Sequence, residues 1–382
     1  MLASLPTPSR RPDVGIALYV TGMLLGVVLL LLVFLVPSLF SRNRSVELEG
    51  LFVGASLAVP MLLVYVSVPW LLDRYDPEPI WALAMALAWG AIAACGVAAF
   101  VNTSVHLFGD VVGGPAFGKA LSSCVSAPLV EEGMKGAFLF FMFRWMRSRF
   151  DGVVDGVIYG TFVALGFACM EDVIYYGHAF REQVLHAKSH QVLVTFIVRG
   201  VITPWGHPLY TSMTGIGFGI ARETHKPWLR WLAPIGGYAL AVFLHFVWNG
   251  SATISGFLFI VMLPLWFLFV LAFFGLVVYL VRRKGLIIRD HLRDEVMFGN
   301  LTHEELALIA SPIGRIRATF AFGGRAGRRF VDAAARLGLC KWHATRAASA
   351  RAGTASFAML MPLRNELRLR RHEAHLARSA RR

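Results

Sequence analysis

The run LSSCVSAPLVEEGMKGAFLFFMF, residues 121–143, is apolar enough to lie in lipid apart from three charges: the adjacent Glu131 and Glu132, and Lys135. An ionised carboxylate at bilayer depth is costly, so a side-by-side pair must face a polar cavity, bind a cation or hold a shared proton. That makes the pair a functional-site candidate in a helix that spans a membrane. Three further apolar segments carry polar groups at similar depth: Glu171 with Asp172, His207, and His245 with Asn249.

The rest of the chain fits a membrane setting. Apolar residues make up 57% of 382 residues, more than one globular core can hide. Eight apolar stretches are near the roughly 20 residues that a spanning helix needs: 15–37, 51–72, 80–101, 119–143, 154–176, 192–221, 231–250 and 254–281. Pro204, Gly206 and Pro208 interrupt the sixth, which therefore reads either as one bent span or as a short amphipathic piece followed by a span starting near Pro208. The expected class is all-α: a polytopic membrane protein with about eight transmembrane helices and a basic cytosolic tail. Residues 1–14 form a polar lead, 15–281 the membrane domain and 282–382 the tail.

Charge sets the expected orientation. Residues 282–382 hold 21 Lys and Arg against 8 Asp and Glu, while the first 281 residues are nearly balanced. Positive residues cluster in loops at Arg144, Arg147 and Arg149, at Arg222, Lys226 and Arg230, and at Arg282, Arg283 and Lys284. With eight spans these fall on one side, which predicts that both termini are cytosolic. Arg42 and Arg44 dissent, accompanied by Glu47 and Glu49. The Ala/Arg-rich tail reads as amphipathic helix or disorder and is expected to meet anionic lipid. It carries no aromatic or zinc-binding reader pattern, so nucleic acid is not expected. The loop 73–79 is acidic and proline-punctuated and predicts a defined turn. Cys95, Cys124, Cys169 and Cys340 show no paired spacing, which argues against disulfides and a cysteine metal site.

Helical spacing suggests roles for the polar residues. Glu131 and Lys135 stand four apart and share a face, which pairs them and leaves Glu132, turned by about 100°, toward a neighbouring helix. A buried ion pair that only fixes packing would account for Glu131 and Lys135. Glu171 reads either as a site carboxylate or as an interfacial acid near its helix end. Asn249 lies one turn from His245, placed to orient it, to support an oxyanion, or simply to tie two helices together. Carboxylates that take a proton from water and histidines that hold water or protonate a leaving amine form a set suited to hydrolysis. Glu171, His207 and His245 would leave one open position on a zinc-like divalent ion, but no His-Glu-x-x-His helix demands a metal. Gly156, Gly160 and Gly166 predict close helix packing.

At these residues the chain resembles the PrsW family of bacterial intramembrane proteases, within a wider group that includes the CAAX prenyl endopeptidases. The resemblance is an ordered series over roughly residues 50–280: Asp76 to Pro79, Glu131-Glu132-x-x-Lys135, Asp155-Gly-x-x-Tyr159-Gly160, Phe167-x-x-x-Glu171, His207-x-x-x-Thr211 and His245-x-x-Trp248-Asn249. It implies that Glu131, Glu132 and His207 are essential, that Glu171 and His245 belong to further polar motifs, and that the protein sits in a bacterial cell membrane. It also implies a membrane-anchored protein substrate, with anti-sigma factors as one class. Where the family usually has Glu-Asn, this chain has Glu171-Asp172, an extra carboxylate beside the motif. The tail lies outside the resemblance.

The combined expectation is an intramembrane peptidase in which Glu131 or Glu132 activates water, His207 and His245 bind that water or an optional metal, Asn249 supports the oxyanion and Lys135 tunes the acids. Two rivals use the same residues. A transporter or channel would use Glu, Lys and His as a proton relay, and inverted repeats would favour it. A noncatalytic scaffold would use them for packing only.

Overall fold

The computed structural model describes residues 12–72, 75, 77–147, 149–349 and 356–380. Every regular element among them is helical, as lipid requires, because a helix satisfies its own N–H and C=O groups. The principal helices are α1 (Pro12–Leu30), α2 (Arg44–Leu72), α3 (Ile80–Ala88), α4 (Cys95–Ala120), α5 (Ala127–Trp145), α6 (Val153–Leu185), α7 (Gln191–Thr195), α8 (Gly206–Glu223), α9 (Pro227–Ile254) and α10 (Gly256–His291). They are followed by α11 (His303–Ala310), α12 (Pro312–Ala321), α13 (Arg325–Ser349) and α14 (Ser356–Ser379).

Seven helical stretches among the described residues are long and apolar enough to cross a membrane. One of them, Ile80–Trp145, has 66 residues and folds back on itself. The reversal is at Gly114, whose φ of 80° is left-handed backbone that glycine adopts without a Cβ clash, and Pro115 follows it. The two arms run antiparallel: Ser122 Oγ donates to the Asn102 carbonyl at 2.9 Å, and Trp89 Nε1 to the Met134 carbonyl at 2.8 Å. The arms contain the third and fourth expected spans.

The chain separates into two compact units, one comprising the described residues up to Leu71 with Glu78–Phe274, the other comprising Gly275 onward with Leu72–Pro77. In the first, α6 is the most enclosed of the spanning helices. It meets α8 where Gly156 faces Gly215: a Cβ on Gly156 would stand 2.1 Å from the Gly215 carbonyl oxygen, so no larger residue fits. Trp89, Phe138, Leu139, Tyr159, Phe162 and Phe167 pack into one core beside this contact. Four π-helical segments among the described residues, Leu31–Leu35, Trp89–Ala94, Leu121–Ser126 and Phe196–Ile202, interrupt the helices. Such segments re-aim side chains and recur at functional sites. The sixth expected span divides after Ile202, and α8 begins at Gly206. The prolines do break it, and the second piece begins near Pro208.

The second unit has a core of its own, with Ile288, Leu292, Ile309, Phe330 and Leu367 buried. Glu295 is fully buried there and accepts from Asn300 Nδ2 at 2.6 Å, Lys341 Nζ at 2.5 Å and Arg364 Nε at 2.8 Å. Two cationic donors and one amide thus satisfy a carboxylate that burial would otherwise leave costly. Glu305 closes a capping box with Thr302 and also binds Arg371 Nε at 3.0 Å. Part of the tail's basic excess thus neutralises buried acids. Residues 350–355 and 381–382 lie outside the described set.

The 73–79 loop is described only at residues 75 and 77–79. Tyr75 is buried and donates to the Ala310 carbonyl at 2.8 Å. Asp76, part of the quoted motif series, lies outside the described residues, while Glu78 accepts from Tyr159 OH at 2.6 Å. All four cysteines are free.

Candidate active site

Helix α5 delivers the glutamate pair, and its neighbours assign the two acids different surroundings. Glu132 is fully buried: its Oε1 accepts from Lys135 Nζ at 2.6 Å and lies 3.1 Å from His245 Nδ1, while its Oε2 accepts from Thr211 Oγ1 at 2.8 Å. Lys135 therefore pairs with Glu132 across three residues, not with Glu131 across four as the spacing suggested. The reason is tertiary: Thr211 on α8 and His245 on α9 supply the remaining bonds that a buried carboxylate needs, and they stand on the Glu132 side.

Glu131 lines a cavity of about 760 Å³ that also meets Asn102, Glu171, Arg199, His207, Tyr210, His245 and Asn249. Asn102 Nδ2 donates to Glu131 Oε1 at 3.3 Å. Its other oxygen, Oε2, is buried with no hydrogen-bond partner and stands 3.9 Å from His245 Nε2. The orphan matters, since a buried acceptor left unpaired is expensive unless water or a ligand completes it.

The histidines meet from different helices. His207 and His245 have ring centroids 5.1 Å apart at 82°, and Tyr210 stacks on His245 at 5.1 Å. Lys135 Nζ stands 3.0 Å from His207 Nδ1. As the ammonium can only donate, Nδ1 accepts, which leaves the His207 proton on Nε2, 2.9 Å from Glu171 Oε2. By the same logic His245 Nδ1 donates to Glu132, leaving Nε2 with a lone pair toward Glu131.

Glu171 lines the cavity. It is held between His207 and the Arg199 guanidinium, whose Nε also donates to Asp172 at 2.7 Å and whose plane lies 3.8 Å from the Tyr175 ring. The extra carboxylate at Asp172 thus shares the arginine. Arg199 lies before the helix break and His207 after it, so the two reach Glu171 from separate helical pieces. Asn249 does not bond His245: its Nδ2 donates to the Ser123 carbonyl at 2.9 Å and ties α9 to the hairpin.

Metal-ligating atoms converge on a different set from the one expected. Those of Glu131, His207 and His245 lie within 4.8 Å of one another. Glu171 is instead engaged by the Arg199 guanidinium and by His207 Nε2. The set fits a divalent cation by donor type and by the orphaned Glu131 oxygen. His245 fits best, with Glu132 behind its Nδ1 as an outer carboxylate. His207 would join only by giving up the proton it shares with Glu171.

Acids, two histidines and a lysine gathered among apolar helices beside a cavity are the equipment of a hydrolase working inside the bilayer. Residues 78–279, slightly more than half of the chain, match the model of the PrsW family intramembrane metalloproteases, and the chain belongs to that family. It is 28% identical over 184 residues to Protease PrsW of Bacillus subtilis (strain 168), covering 48% of this chain and 75% of the relative. Against Protease PrsW of Geobacillus kaustophilus (strain HTA426) the identity is 27% over 180 residues, covering 47% and 71%. A shorter match, 34% over 73 residues, covers 19% of this chain and 30% of Protease PrsW of Clostridioides difficile (strain 630). No solved structure matches. The protein is thus a membrane peptidase, and neither the transporter nor the scaffold reading stands.

Helical periodicity passed over Asn102. The third expected span ends at residue 101, so Asn102 looked like the edge of a loop; α4 carries it well inside the hairpin. Its signal was faint: a carboxamide followed by Thr103 and Ser104 in a helix otherwise able to stay in lipid.

Proposed function

We propose that Glu131 activates water for attack on a peptide bond of a membrane-anchored protein, an anti-sigma factor being one substrate class. The orphaned Oε2 at the cavity wall is the observation that carries this reading. Glu132, with both oxygens engaged, acts instead as the anchor of Lys135 and His245. The His207 Nε2 proton, shared with Glu171, is available to the leaving amine. Asn249 keeps a second N–H beyond the one given to Ser123, enough to support a developing oxyanion. In the metal-bound form His207 would pass its Nε2 proton to Glu171, and Glu131, His207 and His245 would hold a divalent cation such as zinc, which when bound would supply Lewis acidity toward the scissile carbonyl.

The cavity lining includes Thr103, His106 and Lys119, toward the Gly114 end of the hairpin and away from Arg144 and Arg147. With the arginine-rich loops in the cytosol of a bacterial cell, both termini are cytosolic and water reaches the site from the opposite face. In the test, purified full-length protein is incubated with a panel of single-span substrates, and products and bound metal are read by mass spectrometry. We expect at least one substrate to be cut and a chelator to stop the reaction until zinc is restored. Full activity in metal-free protein would remove the cation, and no cleavage of any substrate would count against the substrate class.

The second unit is proposed to rest on anionic lipid through α12. Ile313, Ile316 and Phe320 form an exposed apolar stripe beside exposed Arg317, Arg325, Arg328 and Arg329, and residues 312–331 contain no acid. Each arginine near an anionic surface contributes about 1 kcal/mol. Hydrogen exchange over 312–331 in full-length protein should slow several-fold in phosphatidylglycerol-containing nanodiscs relative to phosphatidylcholine alone, and revert in high salt. Equal exchange in the two discs would exclude the contact.

A further inference from the structure

We infer that Asn102 is a positioning residue for catalysis, holding Glu131 so that one oxygen stays free toward the histidines. This rests on the reading of Glu131 as the water-activating group. Asn102 reaches Glu131 across the two arms of the hairpin, and the hydrogen bonds around it determine which way its amide points. Ser126 Oγ stands 2.7 Å from Asn102 Oδ1 and donates to it, so the carbonyl oxygen faces Ser126 and the NH2 faces Glu131 Oε1 at 3.3 Å. The opposite orientation would set an amide oxygen against a carboxylate oxygen, two acceptors with no proton between them. Ser122 Oγ donates to the Asn102 backbone carbonyl at 2.9 Å and pins the same residue a second time.

The outcome is an asymmetric glutamate. Oε1 is engaged by a neutral donor that is itself held in place, and Oε2 is left buried, unpartnered and 3.9 Å from His245 Nε2. A carboxylate without this tether would be free to turn about its last torsion and offer either oxygen, or neither, to the reacting atoms. Both serines come from the π-helical segment Leu121–Ser126 that immediately precedes α5. That segment therefore positions the amide as well as starting the helix that bears Glu131.

The rival explanation is that Asn102 merely ties two helices together, as carboxamides in membranes do. Asn102→Asp separates the two. It keeps the shape and the bond from Ser126 but removes the donor and sets a carboxylate against Glu131. The full-length protein should therefore lose about 10–100-fold in kcat in Asn102→Ala and at least as much in Asn102→Asp, with KM within about twofold of wild type. Ser126→Ala, which removes one constraint on the amide, should lower kcat less and leave the unfolding midpoint nearly unchanged. Wild-type kcat in folded Asn102→Asp, or a loss confined to KM, would overturn the proposal. So would wild-type kcat in Ser126→Ala if the Asn102 variants fail to fold. Glu131→Gln is measured alongside: full activity there removes the reading of Glu131 itself, whereas an inactive Glu131→Gln beside an active Asn102→Asp removes only the role of Asn102.

Discussion

Glu131→Gln is expected to abolish peptide-bond cleavage, by about 10²–10⁴-fold in kcat if only the proton transfer is lost. The substitution keeps size and burial, and Gln Oε1 can still accept from Asn102, so the fold should survive. What disappears is the basic oxygen at the cavity wall and, with it, one of three converging ligand atoms. Single-turnover cleavage of a membrane-anchored substrate, read beside an unfolding curve, is the check. Wild-type cleavage by a folded Glu131→Gln protein would end the assignment. Glu132→Gln should behave differently, with a larger loss of stability, because that side chain makes three structural contacts. Spacing alone leaves Glu132 as the unpaired acid; the geometry gives that place to Glu131.

Lys135→Ala is expected to cost about 3–5 kcal/mol of stability, the usual penalty for leaving a buried charge without its partner. Lys135 and Glu132 are both fully buried, 2.6 Å apart, and the ammonium also meets His207 Nδ1 and lies 4.3 Å from the Phe167 ring. Its removal strands the Glu132 carboxylate and frees His207 to change tautomer, so stability and activity should fall together. Combining Lys135→Met with Glu132→Gln removes both charges and should recover much of the stability while leaving activity low. Denaturant unfolding in detergent measures this directly. An unchanged midpoint in Lys135→Ala would show that the pair contributes little.

The membrane fold could be read from apolar runs, because lipid leaves a chain few options and each helix announces itself by length and composition. The residues at the site were legible for the same reason: Glu131, Glu132, Lys135, Glu171, His207 and His245 stand out where charge is costly. A reversal between the third and fourth spans followed from their separation, but its place at Gly114 did not, since helix continues past the expected span ends on both sides. The folded parts of the tail were hidden by composition, as its arginines look solvated until Glu295 and Glu305 are seen beneath them.

By itself the sequence determined an all-helical membrane protein with a set of acids and histidines at bilayer depth, arranged in an order that resembles one protease family. Only the tertiary structure decided who pairs with whom. Periodicity describes neighbours on one helix, whereas a buried carboxylate is satisfied by donors from several. Thr211 and His245 claim Glu132 together with Lys135, Arg199 and His207 hold Glu171, and Asn102 tethers Glu131 by one oxygen. Those contacts cross between helices distant in sequence, and they leave Glu131 as the acid with an oxygen to spare.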